Sequence, residues 1–174
     1  MSLAGQAHAY SYAAAGKEVL IDAREAIFKA VNAGDFAAAQ DAAHSISKEI
    51  GYLDQKYAPG LKGTVQTALG SKDAKAIAAA LREVFSAEIK RRLEAGAKSL
   101  NDYQAAKVLV VKSKRFFDAM AAEVPGPTRE AIDVGLRKAL EAIGNPGVFG
   151  VGKKPADPVA YKAAVTDVLK ALAQ

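Results

Sequence analysis

The chain of 174 residues has a formal net charge of +5, and 51% of its residues are hydrophobic. It contains 39 alanines and two histidines but no cysteine or tryptophan. This composition is too apolar for a disordered chain, and the lack of thiols excludes disulfides, cysteine-ligated metals and a nucleophilic cysteine.

Strong helix formers dominate the sequence and predict helices along most of it. The first helix is predicted over residues 10–32 and ends before Gly34, which can adopt a positive φ. Asp35 is expected to cap a second helix over residues 36–57. That helix carries apolar residues at alternating steps of three and four, which is typical of the seam of a left-handed bundle. The seam consists of Phe36, Ala39, Ala43, Ile46, Ile50, Leu53 and Tyr57.

The middle of the chain predicts one loop and two further long helices. Residues 59–70 are rich in Gly and Thr, and are predicted to form a loop with at most one short helical turn. Ser71 is expected to cap the third helix, which is interrupted or bent near residues 96–100. Asn101 is expected to cap the fourth helix.

Two shorter helices follow a Pro-Gly-Pro break at residues 125–127. Thr128 is predicted to cap the first of them, and Asp157 followed by Pro158 to begin the second. The sequence therefore predicts an all-α protein, an antiparallel up-down four-helix bundle with two shorter C-terminal accessory helices. We expect a single helical domain over residues 1–174, with the four-helix core in residues 1–124 and the hinge and accessory pair in residues 125–174.

The first candidate site consists of acidic residues and a histidine on the first two helices. Asp22 and Glu25 share one helix face with Glu18, while Asp41 and His44 share a face of the next helix. Carboxylates and a histidine from facing helices are typical of metal sites in bundles. The helical angles, however, turn both stripes away from the apolar seams and favour a solvated face. No cofactor is predicted, and a surface metal ion at His44, Asp22, Glu25 and Asp41 is the alternative.

The second candidate is a basic stretch that a hairpin of the third and fourth helices would bring together. Its cations include Arg91, Arg92, Lys112, Lys114 and Arg115. A solvated face is the favoured interpretation, and binding of an anionic partner is the alternative. Because the chain has no recognisable nucleic-acid motif, nucleic acid is the less favoured partner.

Tyrosines form the third candidate, since four of them should gather at one end of the first helical hairpin, with His8 near by. They are Tyr10, Tyr12, Tyr52 and Tyr57. A ligand pocket lined by these side chains is one interpretation. The favoured one is a core end whose hydroxyl groups reach water.

A glycine-rich loop, residues 147–154, matches the spacing of a phosphate-binding loop but lacks its final Ser or Thr. Pro155 also separates the loop from the next helix, whereas a phosphate loop opens directly into a helix. The loop is therefore predicted to be a connector whose Val148, Phe149 and Val151 tuck under the bundle.

The function predicted from these patterns is a non-catalytic binding or interaction protein. The partner is expected to be a protein, including a second copy through a helix face. A metal- or small-ligand-binding bundle is the first alternative. No apolar run is long enough to span a membrane. The small residues near the start of the chain favour export to a bacterial periplasm after removal of a signal, with the cytoplasm as the alternative.

Overall fold

The computed structural model describes residues 16–147 and 151–174, and 78% of these residues are helical with no strand among them. The described residues form eight α-helices and one 3-10 turn, Ala121–Glu123. The helices are α1 Val19–Asn32, α2 Phe36–His44, α3 Ser47–Lys56, α4 Leu61–Ser71, α5 Ala74–Lys98, α6 Tyr103–Met120, α7 Gly126–Ala142 and α8 Pro158–Leu172. The prediction of an all-α protein is confirmed.

The longest helix, α5, is the centre of the packing. Its 25 residues contact α1, α3, α4, α6 and α8, and its apolar side chains are buried along most of its length. Phe85 of α5 packs edge-on against Phe116 of α6, with 5.0 Å between ring centroids. Phe116 and Phe117 are both fully buried, although they are adjacent in the chain. Residues of all eight helices join one apolar core.

The single helix predicted over residues 36–57 is two helices in the structure, α2 and α3. They separate at Ser45 and Ile46, where the Ser45 hydroxyl donates a hydrogen bond of 2.7 Å to the carbonyl of Ala42. Such a bond competes with the helical ladder. The predicted seam nevertheless survives, because Ile46 stays buried at the break and Ile50 continues the apolar face in α3.

The prediction of a loop over residues 59–70 is wrong, because most of this segment forms the helix α4. Leu61, Val65 and Ala68 are buried at helical spacing and pack α4 against α5. Burial of this stripe outweighs the low helix propensity of the glycines and threonines around it. Gly60 begins the helix with a φ of +93°, a conformation that favours glycine.

The starts of α2, α5, α6 and α8 agree with the sequence to within two residues. The helix predicted over residues 10–32 is wrong at its start, because residues 16–18 are not helical and α1 begins at Val19. Asp35 and Asp157 cap α2 and α8 as predicted, each accepting backbone hydrogen bonds from the first turn. α5 and α6 are capped by Asp73 and Asp102 rather than by the serine and the asparagine just before them. A carboxylate near the positive end of the helix dipole is the stronger acceptor there. α7 begins two residues before the predicted cap, Thr128.

The connection between α7 and α8 is closed by an antiparallel bridge between Asn145 and Lys154, with two hydrogen bonds of 2.8 Å. Val151, predicted to tuck under the bundle, is 79% exposed, so that prediction is wrong. Val148 and Phe149 lie outside the described residues. The bridge brings together two chain segments that lie between two helices, which is not the strand-to-helix setting of a phosphate loop.

Tyr161 of α8 connects the C-terminal hairpin to α5. Its ring is fully buried, and its hydroxyl donates a hydrogen bond of 3.1 Å to the carbonyl of Leu93. The hydroxyl lies directly over Gly96, so a side chain at that position would overlap with it. Burial raises the pKa of Tyr161 to about 12, from its ordinary value near 10.

The raised pKa predicts a loss of stability at alkaline pH. The unfolded chain releases the tyrosine proton at a pH near 10 and the folded chain near 12, so the free energy of unfolding falls between these values. The full difference is about 2–3 kcal/mol. Urea unfolding at the two ends of this range should show a larger fall for the wild-type protein than for Tyr161→Phe. Parallel falls in the two proteins would contradict the prediction.

No helix among the described residues combines the length and the hydropathy needed to cross a bilayer.

Candidate functional site

Charged side chains from three helix regions meet inside the protein. We call this set the ion cluster, and it consists of Glu18, Glu88, Arg91, Arg92 and Lys112. Glu18 is the residue before α1, Glu88 and the two arginines lie on α5, and Lys112 lies on α6. Glu18, Glu88 and Arg92 are 4–6% exposed, values more usual for apolar residues.

The two carboxylates of the ion cluster hold its cations in a connected network. Glu88 accepts two hydrogen bonds from Arg91, at 2.6 and 2.7 Å, and one of 2.6 Å from Nε of Arg92. Nη2 of Arg92 donates to Glu18 at 2.6 Å, and Lys112 Nζ lies 3.1 Å from the other oxygen of Glu18. Charge-assisted hydrogen bonds thus connect the start of α1 to α5, and an ion pair connects it to α6.

The network is electrostatically almost balanced. Two carboxylates face three cations, which leaves one net positive charge in a largely buried volume. The hydrogen bonds that Arg91 donates to Glu88 raise the pKa of Arg91 above its ordinary value. The guanidinium of Arg92 also lies over the ring of Phe116, at 4.8 Å from its centroid. The three buried members, Glu18, Glu88 and Arg92, thus each have a partner of opposite charge.

A cleft of about 400 Å³ opens above the ion cluster between α1, α3 and α5. We call it the α1–α3–α5 cleft. The ion cluster supplies its floor, and apolar, aromatic and charged side chains form its walls. The wall residues are Val19, Leu20, Lys48, Glu49, Tyr52, Leu53 and Phe116. A concave, mostly apolar surface with a few converging polar groups is the usual form of a small-molecule site.

Glu49 differs from the other carboxylates of the cleft. Glu18 and Glu88 are each paired with cations, whereas Glu49 forms no ion pair with any described residue. Its Oε2 atom is buried and accepts no hydrogen bond within the described part of the chain. A buried acceptor without a donor costs about 1–3 kcal/mol. Glu18 Oε1 also accepts no hydrogen bond, but it lies 3.1 Å from Lys112 Nζ, so Glu49 is the carboxylate of the cleft that has no cation beside it among the described residues.

A second cavity, of about 390 Å³, lies between α7 and α8. Its charged side chains, Lys138, Asp167 and Lys170, are all exposed to solvent. They are already hydrated, so they would gain little from a ligand. The α1–α3–α5 cleft is therefore the stronger candidate site.

The acidic and histidine residues predicted as a surface metal site do not converge. Asp22, Glu25, Asp41 and His44 are each exposed, and residues 16–147 and 151–174 contain no group of three His, Asp or Glu placed to hold a metal. Glu18, which the helical pattern placed on the same solvated face, is buried instead. The reason is that α1 begins at Val19, so Glu18 precedes the helix in an extended conformation and turns inward.

The basic residues of α5 and α6 do come together, as the hairpin prediction requires. Most of them, however, bind carboxylates of the protein itself. Arg91, Arg92 and Lys112 belong to the ion cluster, and Lys114 pairs with Asp118 and Asp133. Arg115 is exposed and donates a hydrogen bond of 3.1 Å to the carbonyl of Gly16. The interpretation of this stretch as a solvated face is wrong for the buried Arg92. Cations already paired with carboxylates are also weakly available to an external anion.

Of the two tyrosines near the end of α3, Tyr52 and Tyr57, only Tyr52 contributes to the cleft. Tyr52 lines it and is 49% exposed, and its ring centroid lies 5.9 Å from that of Tyr57. Burial and the neighbouring Tyr52 raise the pKa of Tyr57. The other members of the predicted pocket, His8, Tyr10 and Tyr12, lie outside the described residues.

Arg24 is a second buried cation that sequence reasoning missed. Its guanidinium pairs with Glu123 and lies between the rings of Phe28 and Phe85, at 4.4 and 5.4 Å from their centroids. Burial lowers the pKa of Arg24. Because Arg24 is four residues after Leu20, the helical spacing already places it on the inner face of α1.

Helical spacing also contains a signal for two members of the ion cluster. Glu88 lies seven positions after the buried Leu81, and Arg92 lies seven positions after the buried Phe85. This spacing places both charges on the inner face of α5. Charges on an apolar face at a spacing of four indicate a buried pair. No such signal exists for Glu18 or Glu49, because their environment depends on how the helices pack.

No protein-family model, curated protein or solved structure gives a significant match to this chain.

Proposed function

We propose that this protein is a non-catalytic helical binding protein that holds a small molecule in the α1–α3–α5 cleft. The observation that carries the proposal is the buried ion cluster under a cleft of about 400 Å³. This volume falls in the range of about 300–1,000 Å³ that is usual for ligand sites. Apolar walls supply binding energy, and the polar groups at the floor and on α3 supply orientation.

Binding without turnover is favoured because the charged groups of the floor are committed to each other. Glu88 accepts three hydrogen bonds from arginines, and Glu18 is shared between Arg92 and Lys112. A general base needs a free lone pair directed at its substrate. Glu49 on the wall keeps such an acceptor, but the floor offers it no uncommitted acid that could act with it in proton transfer. Paired carboxylates instead support a rigid, preorganised surface.

The periplasm is the compartment that we propose. A chain without cysteine has no thiol that an oxidising compartment could modify. The composition is therefore compatible with export. Comparing periplasmic with cytoplasmic extracts tests the compartment separately from the binding site.

Retention of small molecules by two tryptophan variants tests the proposed function. Val19 and Val111 are both 49% exposed, but only Val19 lines the cleft. We expect Val19→Trp to fill the cleft and Val111→Trp to leave it open. The full-length proteins are dialysed against periplasmic and cytoplasmic extracts of a Gram-negative bacterium. The retained compounds are identified by mass spectrometry.

We expect the wild-type protein and Val111→Trp to retain the same compound from the periplasmic extract, and Val19→Trp to lose it. Equal retention by all three proteins, or none by the wild type, would overturn the proposed site. Retention from the cytoplasmic extract alone would overturn the compartment but not the site. Thermal unfolding of each variant confirms that it is folded.

A further inference from the structure

Glu49 indicates which chemical group the cleft receives. The side chain lies on α3 at the wall of the cleft, and its Oε2 atom is buried without a hydrogen-bond donor among the described residues. The other two carboxylates of the cleft are compensated by arginine and lysine side chains. Glu49 is thus the acceptor that a ligand can complete.

A donor with a positive charge fits this acceptor best. A hydrogen bond between a carboxylate and a cation is about twice as strong as one between neutral groups. The charge of Glu49 disfavours an anionic ligand at this wall, because the cation of the wall, Lys48, is exposed and its charge is screened by solvent. On the floor, the arginines already have carboxylate partners in Glu88 and Glu18. A metal ion is disfavoured because the described residues offer no second and third ligand beside Glu49.

The remainder of the wall indicates an apolar group next to that charge. Leu20, Leu53 and Phe116 lie beneath the cleft and are buried, whereas Val19 and Tyr52 are each 49% exposed and offer apolar surface at its mouth. We propose that the cleft binds small organic amines, with the protonated amine donating to Glu49 and the apolar part packing against Val19 and Tyr52. This inference rests on the proposed function, since it assigns the ligand class of the same cleft.

Three probes with the same phenyl group and different heads test the inference. Phenethylamine is protonated at neutral pH, 2-phenylethanol is neutral, and 3-phenylpropionate is negative. Each is titrated into the isotope-labelled full-length protein, and affinities are obtained from backbone amide shifts in two-dimensional NMR spectra. The amine is expected to bind about tenfold more tightly than the alcohol, with the largest shifts in α3.

Two glutamate variants assign the preference to Glu49. Glu49→Gln removes the charge but keeps the shape, and Glu141→Gln removes the charge of an exposed glutamate on α7. We expect the preference for the amine to disappear in Glu49→Gln and to persist in Glu141→Gln. Because Glu49 forms no ion pair with described residues, Glu49→Gln should remain folded, and thermal unfolding of both variants checks this.

The outcomes separate this inference from the proposed function. Equal affinities of the amine and the alcohol, a preference that survives in Glu49→Gln, or no binding of any probe would overturn the amine inference. Tighter binding of 3-phenylpropionate with shifts around the cleft would overturn it while supporting the cleft as a site. Failure of the wild-type protein to retain any compound from either extract would overturn the proposed function itself.

Discussion

Arg92→Ala is expected to lower the free energy of unfolding by about 3–5 kcal/mol. Arg92 is 6% exposed and donates to both Glu88 and Glu18 at 2.6 Å. Its removal leaves Glu18 with Lys112 alone and removes one of the two cations that compensate Glu88. It also removes the guanidinium that covers the ring of Phe116. Urea unfolding followed by circular dichroism measures the loss.

Arg137→Ala is the matched control for this experiment. Arg137 is exposed on α7 and forms no ion pair with any described residue, so its loss should change the free energy by about 0.5 kcal/mol or less. A similar small change in Arg92→Ala would mean that the ion cluster contributes little to stability. The rigid floor on which the proposed binding site rests would then have no energetic basis.

The helical fold could be predicted largely because the apolar spacing is regular. The seam from Phe36 to Tyr57 is buried or half-buried throughout, although the backbone breaks in its middle. Spacing reports which side faces the core, and one irregular turn does not change that face. The break itself depends on a local hydrogen bond of Ser45, which apolar spacing does not report.

The sequence pattern did not predict the helix α4, and the reason lies in helix propensity and not in a local hydrogen bond. Its glycines and threonines have low helix propensity, and propensity was given more weight than the stripe of Leu61, Val65 and Ala68. Tertiary packing against α5 supplies the stabilisation that the local sequence lacks. In an alanine-rich chain, where most segments already favour helix, three apolar residues at helical spacing are enough to decide the outcome.

The candidate site was less accessible to sequence reasoning than the fold. The expected contact of the basic residues on α5 and α6 does occur, but the partners that bury them, Glu18 and Glu88, were not identified. Glu18 precedes its helix, so helical angles do not apply to it. The cleft arises from the packing of α1, α3 and α5, which are distant in the chain. Such a juxtaposition leaves no periodic signal in any one segment.

Gly96→Ala is expected to destabilise the protein by about 2–4 kcal/mol through overpacking and the loss of a buried hydrogen bond. A Cβ atom at this position would overlap with the hydroxyl of Tyr161 and lie 3.2 Å from its Cζ. The ring is fully buried and cannot move aside without separating α8 from α5. The hydroxyl would also lose its bond to the Leu93 carbonyl. The change is measured by urea unfolding.

A double-mutant cycle with Tyr161→Phe assigns this cost to the contact itself. Removing the hydroxyl relieves the closest overlap, so the double variant should be more stable than the sum of the single effects by about 1–2 kcal/mol. Gly63→Ala, in α4, is the control, because a Cβ atom there meets nothing within 4 Å. That substitution should be neutral or stabilise the protein by up to about 1 kcal/mol. Additive effects in the cycle would show that Gly96 is small for a reason other than Tyr161. Coupling would show that the close approach of Gly96 and Tyr161 contributes to the packing of the C-terminal hairpin against α5.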